Sequence, residues 1–116
     1  MKYGINKVTL VGNVGETPRV SEKDGEAFVA NFPLATNEFF RGKGGEEVQQ
    51  TQWHKIVVWN KQAEVVKKLV KKGDLLYIEG KITTNNWADN EGKKHYVTEI
   101  VCDNFLFLSS RNAKEN

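Results

Sequence analysis

Apolar residues recur at every second position over much of this chain, the period of strands with one buried face. Lys7–Val14 sets Val8, Leu10 and Gly12 against Thr9, Val11 and Asn13. Its glycines at 12 and 15 mark a bent or bulged strand, as closing a barrel requires. Pro18–Glu22 reads as a short continuation, ended by a hairpin turn at Asp24-Gly25. Ala27–Thr36 places Phe28, Ala30, Phe32 and Leu34 on an expected core face, with Pro33 calling for an edge or bulge. Thr51–Trp59 is rich in β-branched and aromatic residues and forms a third strand. One of its faces carries Thr51, Trp53, Lys55, Val57 and Trp59, and the other carries Gln52, His54, Ile56 and Val58. Leu75–Thr83 and His95–Leu108 complete the strands.

The pattern changes to a helical period once, over Lys61–Lys72, where Ala63, Val66, Leu69 and Val70 share a stripe. Asn60 is placed to cap its start, Glu64 suits the first turn and Gly73 can end it. Two long polar connections, Asn37–Gln50 and Asn85–Lys94, interrupt the strands; connections of that length are usually functional or mobile. Three strands, a short helix and two strands make an all-β chain with the layout of an OB-fold, a five-stranded Greek-key barrel. An SH3-like barrel would not ordinarily carry a full helix between strands three and four. No internal repeat, low-complexity segment or domain boundary is evident.

The 116 residues are enough for one domain with a real core. Residues 1–110 are read as that domain and 111–116 as a short remnant. A net charge of +2 decides little, because local clustering governs nucleic-acid binding. The single cysteine, Cys102, sits in an apolar strand pattern and reads as a small buried hydrophobe. With no membrane-length apolar run and no secretory signal pattern, a soluble, cytoplasmic, nucleoid-associated protein is expected.

Catalysis finds little support. His54 and His95 lie on different strands, and no metal-ligand spacing is present, so neither a metal nor a cofactor is expected. Gly42-Lys43-Gly44-Gly45 lacks the Walker pattern, and Glu46 and Glu47 read as solvated charge. Aromatic residues and cations point elsewhere. A face alternating Trp53, Lys55 and Trp59 suits base stacking beside a phosphate contact, and burying it would strand the Lys55 charge. Phe40 and Trp87 lie in polar surroundings with no core partner nearby, which favours ligand contact. Phe39 is divided between contact and anchoring the loop base. Among cations, Lys55 leads, followed by Lys7 and Arg41, with Lys61 at the helix start. Lys67, Lys68, Lys71 and Lys72 suit the helix dipole instead.

In these features the chain resembles the bacterial-type single-stranded DNA-binding proteins. The resemblance rests on Asn6-Lys7-Val8-Thr9-Leu10-Val11-Gly12-Asn13 with Pro18, Ala30–Thr36, Gln52–Val58, Lys72-Gly73-Asp74 and Tyr77-Ile78-Glu79-Gly80. It runs from about Asn6 to Leu108. It implies stacking on Phe40, Trp53, Trp59 and Trp87, with phosphate contacts from Lys7, Arg41, Lys55 and Lys61. It also implies a homotetramer, with Asn6, Val8, Leu10 and His54 at subunit contacts. Single-stranded DNA is the implied partner, in replication, recombination and repair. Three departures stand out. Thr17-Pro18-Arg19 replaces the family's Asp-Pro-Glu, and Thr83–Asn86 precedes Trp87 where basic residues are common. The chain also stops at Arg111–Asn116 without the Gly/Pro/Gln-rich tail and acidic tip that recruit replication and repair proteins. Rival readings are an accessory protein of primosomes or recombination built on the same fold, an RNA chaperone, and a nuclease.

Overall fold

The computed structural model describes residues 3–109; the expected remnant at 111–116 lies outside the described residues. Six strands and one helix run in the order β1 (Val8–Val14), β2 (Arg19–Lys23), β3 (Glu26–Arg41), β4 (Glu47–Trp59), α1 (Lys61–Leu69), β5 (Leu75–Ala88) and β6 (Lys94–Ser109). Neighbours follow the order β1-β5-β6-β4-β3-β2, and β1 also pairs with β3, which closes a five-stranded barrel. All pairings are antiparallel except β4 with β6. This is the expected OB-fold.

β1 and β2 act as two halves of one bent strand. Asn13 and Val14 pair with Ala35 and Leu34, whereas Arg19–Ser21 pair with Asn31–Val29. Pro33, which lacks an N–H, falls in the gap between them, and its carbonyl accepts from Gly15 N–H at 2.9 Å. Gly12 makes the closure possible, because a Cβ there would collide with the Ala35 carbonyl. The Asp24-Gly25 turn has positive φ at both residues, 54° and 81°, the hairpin geometry its sequence favours.

The core joins inward residues of every barrel strand to the helix: Val14, Ala30, Phe32, Leu34, Ile56, Val58, Leu76 and Ile78, with Ala63, Val66 and Val70 from α1 and its exit. Cys102 belongs to this core, and burial pushes its thiol up to about 11. It behaves as the small hydrophobe expected of it.

Four local expectations need correction. The two polar connections are chiefly β-ribbon, since β3 pairs with β4 out to Arg41↔Glu47 and β5 with β6 out to Ala88↔Lys94. Backbone pairing holds these arms without an apolar face, so period-two hydrophobicity could not reveal them. The helix ends at Leu69 because Val70 turns extended to bury its side chain, which leaves Leu69 exposed. Asn60 stands at the N-cap with φ of 58° and makes no side-chain capping bond. Phe28, expected in the core, is outside it. β3 bulges there: Ser21 faces Val29 and Glu22 faces Ala27, so Phe28 is the extra residue and the alternation resets.

Candidate nucleic-acid interface

Strand register assembles the site. On β4 the outward set is Trp53, Lys55 and Trp59, while Ile56 and Val58 are fully buried behind them. Val57 pairs with Val101 of β6, which pairs with Lys81 of β5. Stepping by twos from that row, the same outer face gains Glu99 and His95 on β6, and Thr83, Asn85 and Trp87 on β5. Trp53, Lys55, Trp59 and Trp87 therefore share one continuous face of the barrel wall and its second ribbon. All three tryptophans are exposed, Trp53 most at 62%.

Each ring is held differently. The Trp53 six-membered ring rests on Gly15, where a Cβ would overlap it, and lines a cleft of about 370 Å³ with Arg19, His54 and Lys55. Trp59 lies beside Phe28, with ring centroids 6.4 Å apart and planes inclined by 47°. Trp87 is covered on one side by the His95 imidazole, stacked at 4.4 Å, and His95 Nε2 is 2.9 Å from the Asp89 carboxylate. The hydrogen bond to His95 holds the Asp89 carboxyl below the usual range, helped by the Lys93 and Glu91 N–H groups that donate to it. One Trp87 face is thus left for a ligand.

The first ribbon divides its two phenylalanines. Phe39 pairs with Gln49, on the row that leads through Asn37 and Thr51 to Trp53. Phe40 pairs with Val48, so its register belongs to the opposite face of the ribbon. Both rings are exposed, because the arm has left the core behind. The register therefore groups Trp53, Trp59 and Trp87 and sets Phe40 apart from them.

The four cations differ more than the sequence suggests. Lys55 Nζ lies 3.1 Å from the Glu99 carboxylate, which also accepts from Asn85 Nδ2 at 2.9 Å. Lys7, just before β1, lies 3.1 Å from Glu79 of β5. Arg41 donates weakly to the Gly45 carbonyl at 3.5 Å near the ribbon tip. Lys61 stands at the start of α1, on a groove that includes Phe28. Sequence patterning missed Glu99, Phe28 and Arg19. Glu99 sits in plain alternation, but its pairing with Lys55 depends on the parallel β4–β6 contact, which is a tertiary fact.

The residues assigned to subunit contacts have partners within the chain. Asn6 donates to the Ile82 carbonyl at 2.8 Å and accepts from its N–H at 2.9 Å, extending the β1–β5 ladder. Val8 and Leu10 point inward against the core. His54 shares a 2.9 Å hydrogen bond with the Thr36 hydroxyl, and burial holds its imidazole below 6.5. The outward residues of β1 are Thr9, Val11 and Asn13. Val11 begins an apolar row that crosses half-buried Tyr77 to Leu106, with Val11 and Leu106 exposed.

An OB-type barrel with an aromatic outer face is one of the architectures built to bind single strands. The sequence matches the model of the single-strand binding protein family over residues 5–108, and the chain belongs to that family. It is 47% identical over 111 residues to the single-stranded DNA-binding protein of Bacteroides thetaiotaomicron, covering 94% of this chain and 69% of that one. With single-stranded DNA-binding protein 1 of Chlorobaculum tepidum it shares 41% identity over 114 residues, or 97% and 70% of the two chains. Its fold superimposes on the Plasmodium falciparum SSB in complex with ssDNA with a TM-score of 0.81 at 33% identity, over 94% of this chain and 99% of that one. A deletion mutant of the Thermus aquaticus single-stranded DNA binding protein matches with a TM-score of 0.77 at 26% identity, over 97% and 54%.

Proposed function

We propose that the chain binds and shields single-stranded DNA without sequence preference, serving replication, recombination and repair. The observation that carries this reading is the shared outer face of Trp53, Lys55, Trp59 and Trp87. Bases stack on the rings, and every base has a π-face, so the surface does not discriminate among them. A stack contributes about 1–3 kcal/mol, a magnitude general to single-strand binders of this family and others. Phe40, on its own face of the first ribbon, meets the strand after it passes the barrel wall. Lys55, Arg41, Lys61 and Lys7 contact phosphates, Lys55 and Lys7 from the solvent side of the carboxylates they already pair with. The names of the curated relatives and the DNA-bound Plasmodium structure support the same ligand. Binding rather than catalysis is the role, and it requires no metal or cofactor.

The unit of function is a homotetramer. Support comes from the row of Val11, Tyr77 and Leu106, with Leu108 also exposed, because contiguous apolar surface suits a second copy of the chain. β1 contributes to that contact through its outward residues, with Val8 and Leu10 packed on the core behind it and Asn6 tied to Ile82 of β5, while His54 braces the neighbouring β3–β4 pair through Thr36. Recruitment of other replication and repair proteins is a separate matter, since nothing in the barrel resembles an acidic recruiting segment.

Titrating intrinsic tryptophan fluorescence with oligo-dT at low and high salt tests this reading, with oligomer mass measured in parallel. Strong quenching that survives in part at high salt, on a tetramer, is expected. A folded protein that shows no quenching would refute it, and a monomeric mass would refute the tetramer.

A further inference from the structure

Phe28 is exposed where simple alternation would bury it. Ala27 and Ala30 both point into the core, so the bulge turns two successive residues, Phe28 and Val29, outward. Bulges re-aim side chains in this way, often beside functional sites. Here the re-aimed ring lands next to Trp59, 6.4 Å away, and stays 38% exposed. The 47° inclination is too steep for a base to be sandwiched between the two rings, so each offers a surface of its own. Beyond Phe28 lies a groove of about 790 Å³ whose apolar wall continues over Val65 and Leu69 of α1.

We infer that Phe28 is a fifth aromatic contact of the single strand, seating a base next to the one stacked on Trp59. The inference rests on the DNA-binding reading above and extends the path of the strand from the barrel wall onto the flank of the helix. The occupant is a nucleobase rather than a peptide because the groove is continuous with the tryptophan face through the Phe28–Trp59 contact. The groove is no cation funnel. Lys23, Lys61 and Lys68 are matched by Asp24, Glu26 and Glu64, and Glu64 is committed to the Ala27 N–H at 2.8 Å. The contribution of Phe28 is therefore stacking, and stacking, unlike phosphate contact, leaves the salt slope unchanged.

Two substitutions separate contact from packing. Phe28→Leu fills similar space beside Trp59 but cannot stack, whereas Phe28→Tyr keeps the ring. Oligo-dT titrations at two salt concentrations should show Phe28→Tyr within about 2-fold of wild type. Phe28→Leu should lose roughly 5- to 10-fold at both salts, the low end for a stack because the ring is only partly exposed. Wild-type affinity in Phe28→Leu, or a loss accompanied by a changed salt slope, would overturn the inference. Photocrosslinking wild-type protein to 5-iododeoxyuridine oligomers keeps the test open if Phe28→Leu is poorly folded. Adducts on Phe28 as well as Trp59 are expected; adducts on the tryptophans without Phe28 would sink it. Absence of quenching by oligo-dT in the wild type would instead refute the DNA-binding reading itself.

Discussion

Glu99 is the acid at the centre of a face expected to meet phosphates, and neutralising it should tighten DNA binding. In the free protein Lys55 Nζ lies 3.1 Å from the Glu99 carboxylate. A phosphate meeting the ammonium from the solvent side would stand about 6 Å from that carboxylate, twice the observed separation. Two unit charges at that distance repel by about 0.7 kcal/mol in bulk water and about 2.8 kcal/mol at an effective dielectric of 20. Screening at physiological ionic strength, with a Debye length of about 8 Å, roughly halves both values. What remains, ~0.3–1.3 kcal/mol, predicts a gain of roughly 2- to 9-fold for Glu99→Gln, which keeps an acceptor for Asn85. The salt dependence should steepen as well. Lys55, no longer offset by Glu99, would fully neutralise one more phosphate and release the cation condensed on it, adding up to about 0.7 to the log–log slope. Equilibrium titration with oligo-dT at four or five salt concentrations reads both quantities. Repeating it in a Lys55→Gln background should abolish the gain, since contacting residues couple. Unchanged affinity and slope in Glu99→Gln would refute the placement of a phosphate at Lys55.

Other expectations follow from the same face. Trp53→Ala should cost about 1–3 kcal/mol of oligo-dT affinity, whereas Lys71→Ala on the helix side should stay within about 2-fold; equal losses would contradict the face assignment. Gly15→Ala and Gly12→Ala should separate binding from stability. The first displaces the Trp53 ring and weakens DNA binding with little change in melting, while the second presses on the Ala35 backbone and should destabilise the barrel by about 1–3 kcal/mol. His54 gives a pH dependence. Burial beside Thr36 holds its imidazole below its ordinary 6.5, so the folded state takes up a proton less readily than the unfolded chain. Its stability is therefore complete above pH 6.5 and lost as pH falls through the folded value, with Glu16, Arg19 and Lys55 lining the same cleft. Thermal melts from pH 7.5 to 5 should decline less steeply in His54→Gln than in wild type, and identical declines would exclude His54 as the cause.

Period-two patterning made the barrel legible because each wall strand must send alternate residues into one core. The same patterning fails where the core ends. Asn37–Arg41 and Thr84–Ala88 pair as regularly as the barrel strands, yet both faces of these arms meet solvent, and their sequences look like loop. Alternation misplaces Phe28 for a related reason, since a bulge shifts it by one and leaves no mark in composition. Trp53, Lys55 and Trp59 could be grouped from sequence because they share a strand. Joining Trp87 and Glu99 to them required the β4–β6 pairing, which links residues more than forty positions apart. Phe40 illustrates the reverse: adjacency to Phe39 hides the fact that neighbours in a strand point to opposite sides.

β4 serves the core and the ligand face with alternate residues, Ile56 and Val58 inward, Trp53, Lys55 and Trp59 outward. Inserting or deleting one residue there would exchange the two sets, exposing the aliphatic side chains while driving Lys55 into the interior. Such a change would cost folding and binding together unless a bulge absorbed it, as one does at Phe28 in β3. The ribbon tips, Gly42–Glu46 and Asp89–Lys93, carry no such coupling. Variation in length should therefore accumulate at the tips of the arms, letting the reach of the protein along a strand diverge while the stacking wall keeps its register.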